Sequence, residues 1–216
     1  MPPRAPAARI VVSGLACQVL RNVAPASQRR DLVQPPLRGC GWTRAWPGGP
    51  VSRTCSSMVA MGTWSRAELA EAFEHYQQQV ERAAETGDWD LFADLFTEDS
   101  TYVEHVFGTW SGRENTRRWI KRTMTTFPGS EMVSFPIAWS TIDEDKGWII
   151  CEVRNVMRDP GDGSVHEASN LTILRYAGDG LWANEEDVYN PAHFATMVEE
   201  WQRASEAASP AGRAAR

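Results

Sequence analysis

The sequence predicts an α+β domain, on three observations. A capped stretch with helical apolar spacing begins at Ser65. The apolar period changes to two after Pro128-Gly129. Tight-turn residues then separate the strand-like runs, with no room for crossover helices, which is the pattern of an antiparallel meander.

Ser65-Arg66-Ala67-Glu68 is a capping box, and Leu69, Phe73, Tyr76, Val80 and Ala83 follow on one helical stripe up to Thr86-Gly87. Asp88 caps a short second helix whose buried side is Leu91, Phe92, Leu95 and Phe96. Thr97–Ser100 is expected as a polar turn and Thr101–Phe107 as a strand. Ser111-Gly112 opens a third helix carrying Trp119, Ile120 and Met124. Four strands are predicted next, at Met132–Ile142, Trp148–Met157, Ser164–Tyr176 and Leu181–Tyr189. Pro136 has no N–H for a ladder, so the first of these is an edge strand or is bulged there. Asn190-Pro191 caps a last helix with Phe194, Met197, Val198 and Trp201 on one face, and the chain after Arg203 is expected to fray.

The 216 residues divide into two unlike pieces. Residues 1–57 hold eight Arg, no Lys and one acid, Asp31, a net +7, whereas the whole chain is −6 and the remainder therefore −13. With eight of the thirteen Pro and no sustained period, residues 1–60 are expected to be a disordered extension. A start assigned too early, with Met58 or Met61 as the true one, a targeting segment and a plain disordered tail remain open for it. The folded domain is expected at 61–205 and a disordered tail at 206–216. An acidic chain is no general nucleic-acid binder, and no run is long enough for a membrane helix. Cys17, Cys40 and Cys55 lack metal-ligand spacing and Cys151 stands alone in a strand-like run, so a reduced, cytoplasmic protein with no metal and no cofactor is expected.

In their order, Thr86-Gly87-Asp88, Leu95-Phe96-Thr97-Glu98-Asp99, Trp110-Ser111-Gly112-Arg113-Glu114 and the segment Tyr176–Pro191 make residues 65–203 resemble the nuclear transport factor 2-like superfamily, also called SnoaL-like. The resemblance implies a cone-shaped roll, in which a curved, mainly antiparallel sheet wraps around the N-terminal helices, with a C-terminal helix added. The mouth of such a cone admits an apolar ligand. The superfamily includes steroid isomerases, polyketide cyclases, scytalone dehydratase, epoxide hydrolases and binding-only members, so fold alone does not decide function.

The same resemblance implies the site. Val103-Glu104-His105 occupies the place of the isomerases' general-base Asp, which puts His105 inward with Val103 and Phe107 and leaves Glu104 outside. On the last strand Glu185, Asp187 and Tyr189 point inward, and Asp187 matches the acid Asp of the epoxide hydrolases. The Arg and second Asp of those hydrolases fall on Val153 and Asn155. The isomerases' helical Tyr falls on Val80 and their protonated Asp on Thr172, so neither machinery is complete. Asn170 resembles a substrate-binding Asn of the dehydratase. The expectation is a cofactor-free lyase, isomerase or cyclase acting on a small apolar or aromatic molecule. His105 would be its base, oriented by Asp187, with Asn155, Asn170, Thr172 and Tyr189 as hydrogen-bonding groups. The alternative is a non-catalytic ligand-binding or dimeric interaction module. A homodimer is expected through the sheet's outer face, with Ile150 and Val156 beside Glu152 and Arg154.

Overall fold

The computed structural model describes residues 64–210; the expectations for residues 1–60, for the first three Cys and for residues 211–216 lie outside them. Helix α1 (Arg66–Thr86) begins where the Ser65 hydroxyl accepts the Glu68 N–H at 3.2 Å, and ends at Gly87, whose φ of 75° closes the left-handed cap. Its stripe of Leu69, Ala72, Phe73, Tyr76 and Ala83 is buried in the main core with Ile149, Leu174 and Trp182. A single turn, α2 (Asp90–Ala93), follows, with Asp88 Oδ1 accepting the Asp90 N–H at 3.2 Å.

Strand β1 (Phe96–Glu104) starts five residues before the expected Thr101, so the presumed polar turn belongs to a strand with an irregular register between Phe96 and Thr101. After a turn at 105–107 comes β2 (Gly108–Ser111), too short to have been recognised by alternation. Helix α3 (Arg113–Met124) and a 3-10 turn (Gly129–Glu131) lead into β3 (Met132–Ser134) and β4 (Ile137–Asp143). The single strand expected over 132–142 is thus divided at Phe135-Pro136. The Pro136 carbonyl keeps the connection by accepting the Arg154 N–H at 3.0 Å. The remaining strands are β5 (Trp148–Met157), β6 (Glu167–Gly178) and β7 (Leu181–Val188).

Among the described residues seven strands form one curved sheet in the order β2-β1-β7-β6-β5-β3, with β4 also paired to β5. All pairs are antiparallel except one: β1 runs parallel to β7. The fold is the α+β roll with a C-terminal helix that the sequence predicts. That helix, α4 (Pro191–Ala208), has Asn190 accepting the Ala192 N–H at 3.0 Å and Pro191 in its first turn. It continues past Arg203, where fraying was expected, and occupies the first part of the presumed tail. Ala207 and Ala208 are strong helix formers, and Trp201 anchors the helix by donating Nε1–H to the Arg158 carbonyl at 2.6 Å. Met197 and Val198 of α4 bury against Met157 and Ala168 in a second cluster, with Phe127, Phe194 and Trp201 packed on it. No helix among the described residues is long and apolar enough to cross a membrane.

Gly129 marks the closest backbone approach at the end of α3. A Cβ there would lie 2.3 Å from the Thr123 carbonyl oxygen, and backbone cannot swing aside as a side-chain tip can. Gly129→Ala is expected to cost roughly 1–3 kcal/mol, seen as a fall of at least ~2 °C in the thermal midpoint; an unchanged midpoint contradicts this packing.

Candidate functional site

Successive strand residues face opposite sides of the sheet. On β6 the cone side carries Asn170 and Thr172, and on β5 Val153 and Asn155. On β7 it carries Glu185 and Asp187, with Tyr189 just beyond. A register shift between Arg175 and Tyr176 lets Trp182 and Glu185, three positions apart, both be buried. These residues, with Phe107, line one cavity of about 760 Å³. Its walls are mostly apolar, with Trp89, Phe92, Trp119 and Phe135 on one side and Phe194 and Val198 of α4 on another.

The polar groups gather on the β1–β7 wall, where the parallel register sets Tyr102 beside Glu185 and Glu104 beside Asp187. Asp187 Oδ1 accepts from the Thr172 hydroxyl at 2.6 Å and from Asn170 Nδ2 at 2.8 Å, while Oδ2 accepts a short bond from the Tyr102 hydroxyl. Asn155 Nδ2 donates to Asn170 Oδ1 at 2.7 Å and so fixes which way that amide points. The Tyr76 hydroxyl of α1 lies 3.1 Å from each Glu185 carboxyl oxygen. Glu104 Oε2 accepts the backbone N–H groups of Val106 at 2.9 Å and Phe107 at 2.6 Å. The Tyr189 hydroxyl favours the Glu104 carboxylate, yet Oε1 is left with no partner at hydrogen-bond geometry. Trp119 Nε1 and Thr123 Oγ1, on adjacent turns of α3 and in the same lining, are also without partners.

Burial dominates the titration of all three carboxyls. It raises the Asp187 pKa against the lowering effect of Thr172, Tyr102 and Asn170. It raises Glu104 against Tyr189 and the two backbone N–H groups. Glu185 is pushed furthest, well above the carboxylate range, by burial and then by the charge of Asp187, with Tyr76 and Tyr102 opposing. The free Cys151 thiol is pushed up to about 12 by burial and the same two acids, which leaves it inert as a nucleophile near neutral pH.

Three placements expected from the sequence are corrected. His105 is not in the cavity. Its ring is half-exposed on the outer face and meets Glu186 Oε1 at 2.8 Å, so the expected His105–Asp187 pair does not form. Val103, likewise out of phase with the cone, is not in the lining, and Glu104, expected outside, is 4% exposed and lines the cavity. The physical reason is the phase of β1: Ser100, Tyr102 and Glu104 are its buried alternates. The strand ends at Glu104, and the turn that follows carries Phe107 back to the cavity despite its odd number. Tyr76, Tyr102 and Glu104 are therefore site residues that alternation and helical spacing did not reveal. Tyr76 looked like core because its ring is core, buried against Phe92 and Trp182. Among the described residues no group of three or more His, Cys, Asp or Glu could hold a metal ion.

The SnoaL-like domain model matches residues 76–185. No curated protein sequence matches the chain. Similar solved structures include an LEH-like epoxide hydrolase from M. tuberculosis, 16% identical over 66% of this chain and 98% of that one, with a TM-score of 0.49. Bal32a, from a soil-derived mobile gene cassette, is 16% identical over 61% of this chain and 98% of its own, with a TM-score of 0.46. An NTF2-like protein from Anabaena variabilis is 17% identical over 60% of this chain and 95% of its own, also with a TM-score of 0.46.

A buried acid with a raised pKa binds a proton that the unfolded chain releases. Stability therefore falls as pH climbs from the ordinary carboxylate range through the folded-state pKa. Glu185→Gln keeps an acceptor for Tyr76 and removes that loss. In thermal scans the variant is expected to unfold ~2 °C or more above the wild type at about pH 8, the gap closing toward about pH 4. A gap that widens on acidification contradicts the assignment.

Proposed function

The chain belongs to the SnoaL-like domain family, and from that premise we propose that its cone receives a small apolar molecule and moves a proton on it, as a lyase, isomerase or cyclase does. The observation that carries this reading is the unlike surroundings of two carboxyls two residues apart on β7. Burial raises both pKa values, but Glu185 is pushed well above the carboxylate range, whereas in Asp187 three side-chain donors that favour the anion oppose the rise. Neighbouring titratable groups driven apart in this way divide the roles of acid and base.

In this reading Asp187 takes the proton. Thr172 and Asn170 hold its carboxylate in place, and Asn155 holds Asn170. Glu185 is the proton reservoir, since Tyr102 interacts with both acids. Tyr189, whose hydroxyl favours the Glu104 carboxylate, can accept from a substrate hydroxyl, and Val153 and Phe107 shape the apolar wall. Acid–base catalysis of this kind supplies ~10²–10⁴-fold, and the fit of the substrate to the walls supplies the rest. His105, on the opposite face, takes no part.

The test follows the proton. A molecule that co-purifies with the full chain is identified by native mass spectrometry and returned to the protein in deuterium oxide. Deuterium should enter the molecule with the wild type and with His105→Gln, and ~10²-fold more slowly with Asp187→Asn, which should still bind it. Exchange undiminished in Asp187→Asn contradicts the proposed base, and binding without any exchange favours the non-catalytic alternative.

We also propose that two copies associate through the outer face of the sheet. What supports this is a transverse row in which Trp139, Glu152, Leu171 and Val188 are successive register partners across β4, β5, β6 and β7. Its three apolar members are 46%, 39% and 40% exposed, Leu171 and Val188 side by side and Trp139 one strand further across Glu152, to which its Nε1–H donates at 2.6 Å. Ile150 and Val156, expected at such an interface, are half-buried on the same face with Arg154 exposed beside them. Light scattering at tens of micromolar, about where weak association is populated, should give a dimer for the wild type and a monomer for Leu171→Glu. A monomeric wild type contradicts the proposal.

A further inference from the structure

Resting on the reading of the cone as a small-molecule site, we infer that the molecule it takes is a hydrophobic cation, an amine or quaternary ammonium whose positive nitrogen sits against Glu104 and Asp187. Four carboxyl side chains line the cavity, Glu104, Glu185 and Asp187 on the sheet and Glu199 on α4, and no Lys, Arg or His is found among the described residues lining it. Buried charges in proteins are paired, because an ion moved out of water into apolar surroundings costs several kcal/mol even after relaxation. The same sheet shows the contrast one residue away. Glu186, on the outer face between the two inward acids, has His105 at 2.8 Å and Arg175 at 3.8 Å. The cations of this region are on the outside, and the inward acids have only neutral donors.

Those donors are arranged as for anions. Asp187 receives three, and Glu104 Oε2 receives two backbone N–H groups. A second observation, independent of the acidity, singles out Glu104. Its Oε1 has no partner at hydrogen-bond geometry although the residue is 96% buried, so a buried acceptor awaits a donor, and the donors in the lining, Tyr189, Trp119 and Thr123, are all neutral. The register pairing of Glu104 with Asp187 concentrates negative charge at one end of the cavity. The same lining carries aromatic rings, Trp89, Trp119, Phe135 and Phe194, of the kind that stabilise a cation through their quadrupoles and bury its hydrocarbon part. An ammonium N–H, or a quaternary nitrogen, answers both the charge and the shape. A neutral hydroxyl satisfies Oε1 but leaves the charge uncompensated.

The probes are naphthylmethylamine and naphthylmethanol, of nearly equal size and both able to donate, differing in charge near neutral pH. Calorimetry on the full chain should show the amine binding about tenfold tighter or better. That preference should vanish in Glu104→Gln, while the alcohol binds the variant as it binds the wild type, which also reports that the variant is folded. Asp187→Asn should reduce the preference in the same direction. Equal or weaker binding of the amine by the wild type overturns the inference and leaves the apolar cavity intact as a site. A preference surviving both substitutions overturns it too, since the charge would then be read elsewhere. If neither probe binds, the small-molecule reading falls together with the inference.

Discussion

The parallel pairing of β1 with β7 is the constraint on which the rest of the site depends. It joins the first strand to the last and sets Tyr102 and Glu104 alongside Glu185 and Asp187. Three carboxyls on one wall of an apolar cone are tolerable only if neighbouring elements deliver donors, because an unpaired buried anion costs several kcal/mol. Each neighbour does so. Helix α1 brings the Tyr76 hydroxyl, β6 brings Asn170 and Thr172, and the turn after β1 folds two backbone N–H groups onto Glu104. The capped start of α1 and the register of β6 on β7 thus serve the pairing of the acids at one wall as well as the packing of the core.

The two faces of the sheet separate charge by function. Outside, Glu186 meets His105 and Arg175, and Arg175 stacks over Trp148 at 4.8 Å, a solvated ladder of modest energetic weight. Inside, acids meet hydroxyls and amides, which polarise a carboxyl without neutralising it. Such a wall can hold one acid neutral and another charged, the condition for proton transfer near neutral pH. The mouth is completed by α4, whose own small core with Met157 and Ala168 positions Phe194 and Val198 over the cavity.

Much of this was legible in the sequence. The Ser65 cap, the Gly87 stop, the Asn190-Pro191 cap and the span Trp148–Met157 appear in the structure as local patterns predict, because each is decided by its immediate neighbours. The inward positions expected on β5, β6 and β7 came from the family resemblance and not from local pattern; the structure has those residues in the cavity lining. What failed was the phase of β1. Matching Val103-Glu104-His105 to a relative's motif placed an apolar Val and a His inside, but the strand ends at Glu104 and its register with β7 puts the acid inside. No local pattern encodes a parallel pairing between residues some 80 positions apart. The same distance hid Tyr76, whose partner Glu185 lies 109 residues on, behind a ring that belongs to the core.

The central claim is that the cone keeps three acids away from water with one of them neutral. It is tested most directly by carbon-13 NMR of the side-chain carboxyls across a pH series, on full-length protein labelled at Asp and Glu, with Glu185 assigned by its loss in Glu185→Gln. Glu185 is expected to titrate well above the ordinary carboxylate range, and Glu104 and Asp187 also above it, the three responding to one another's ionisation. Three independent titrations at ordinary carboxylate values would mean that water solvates this wall, and would contradict the account.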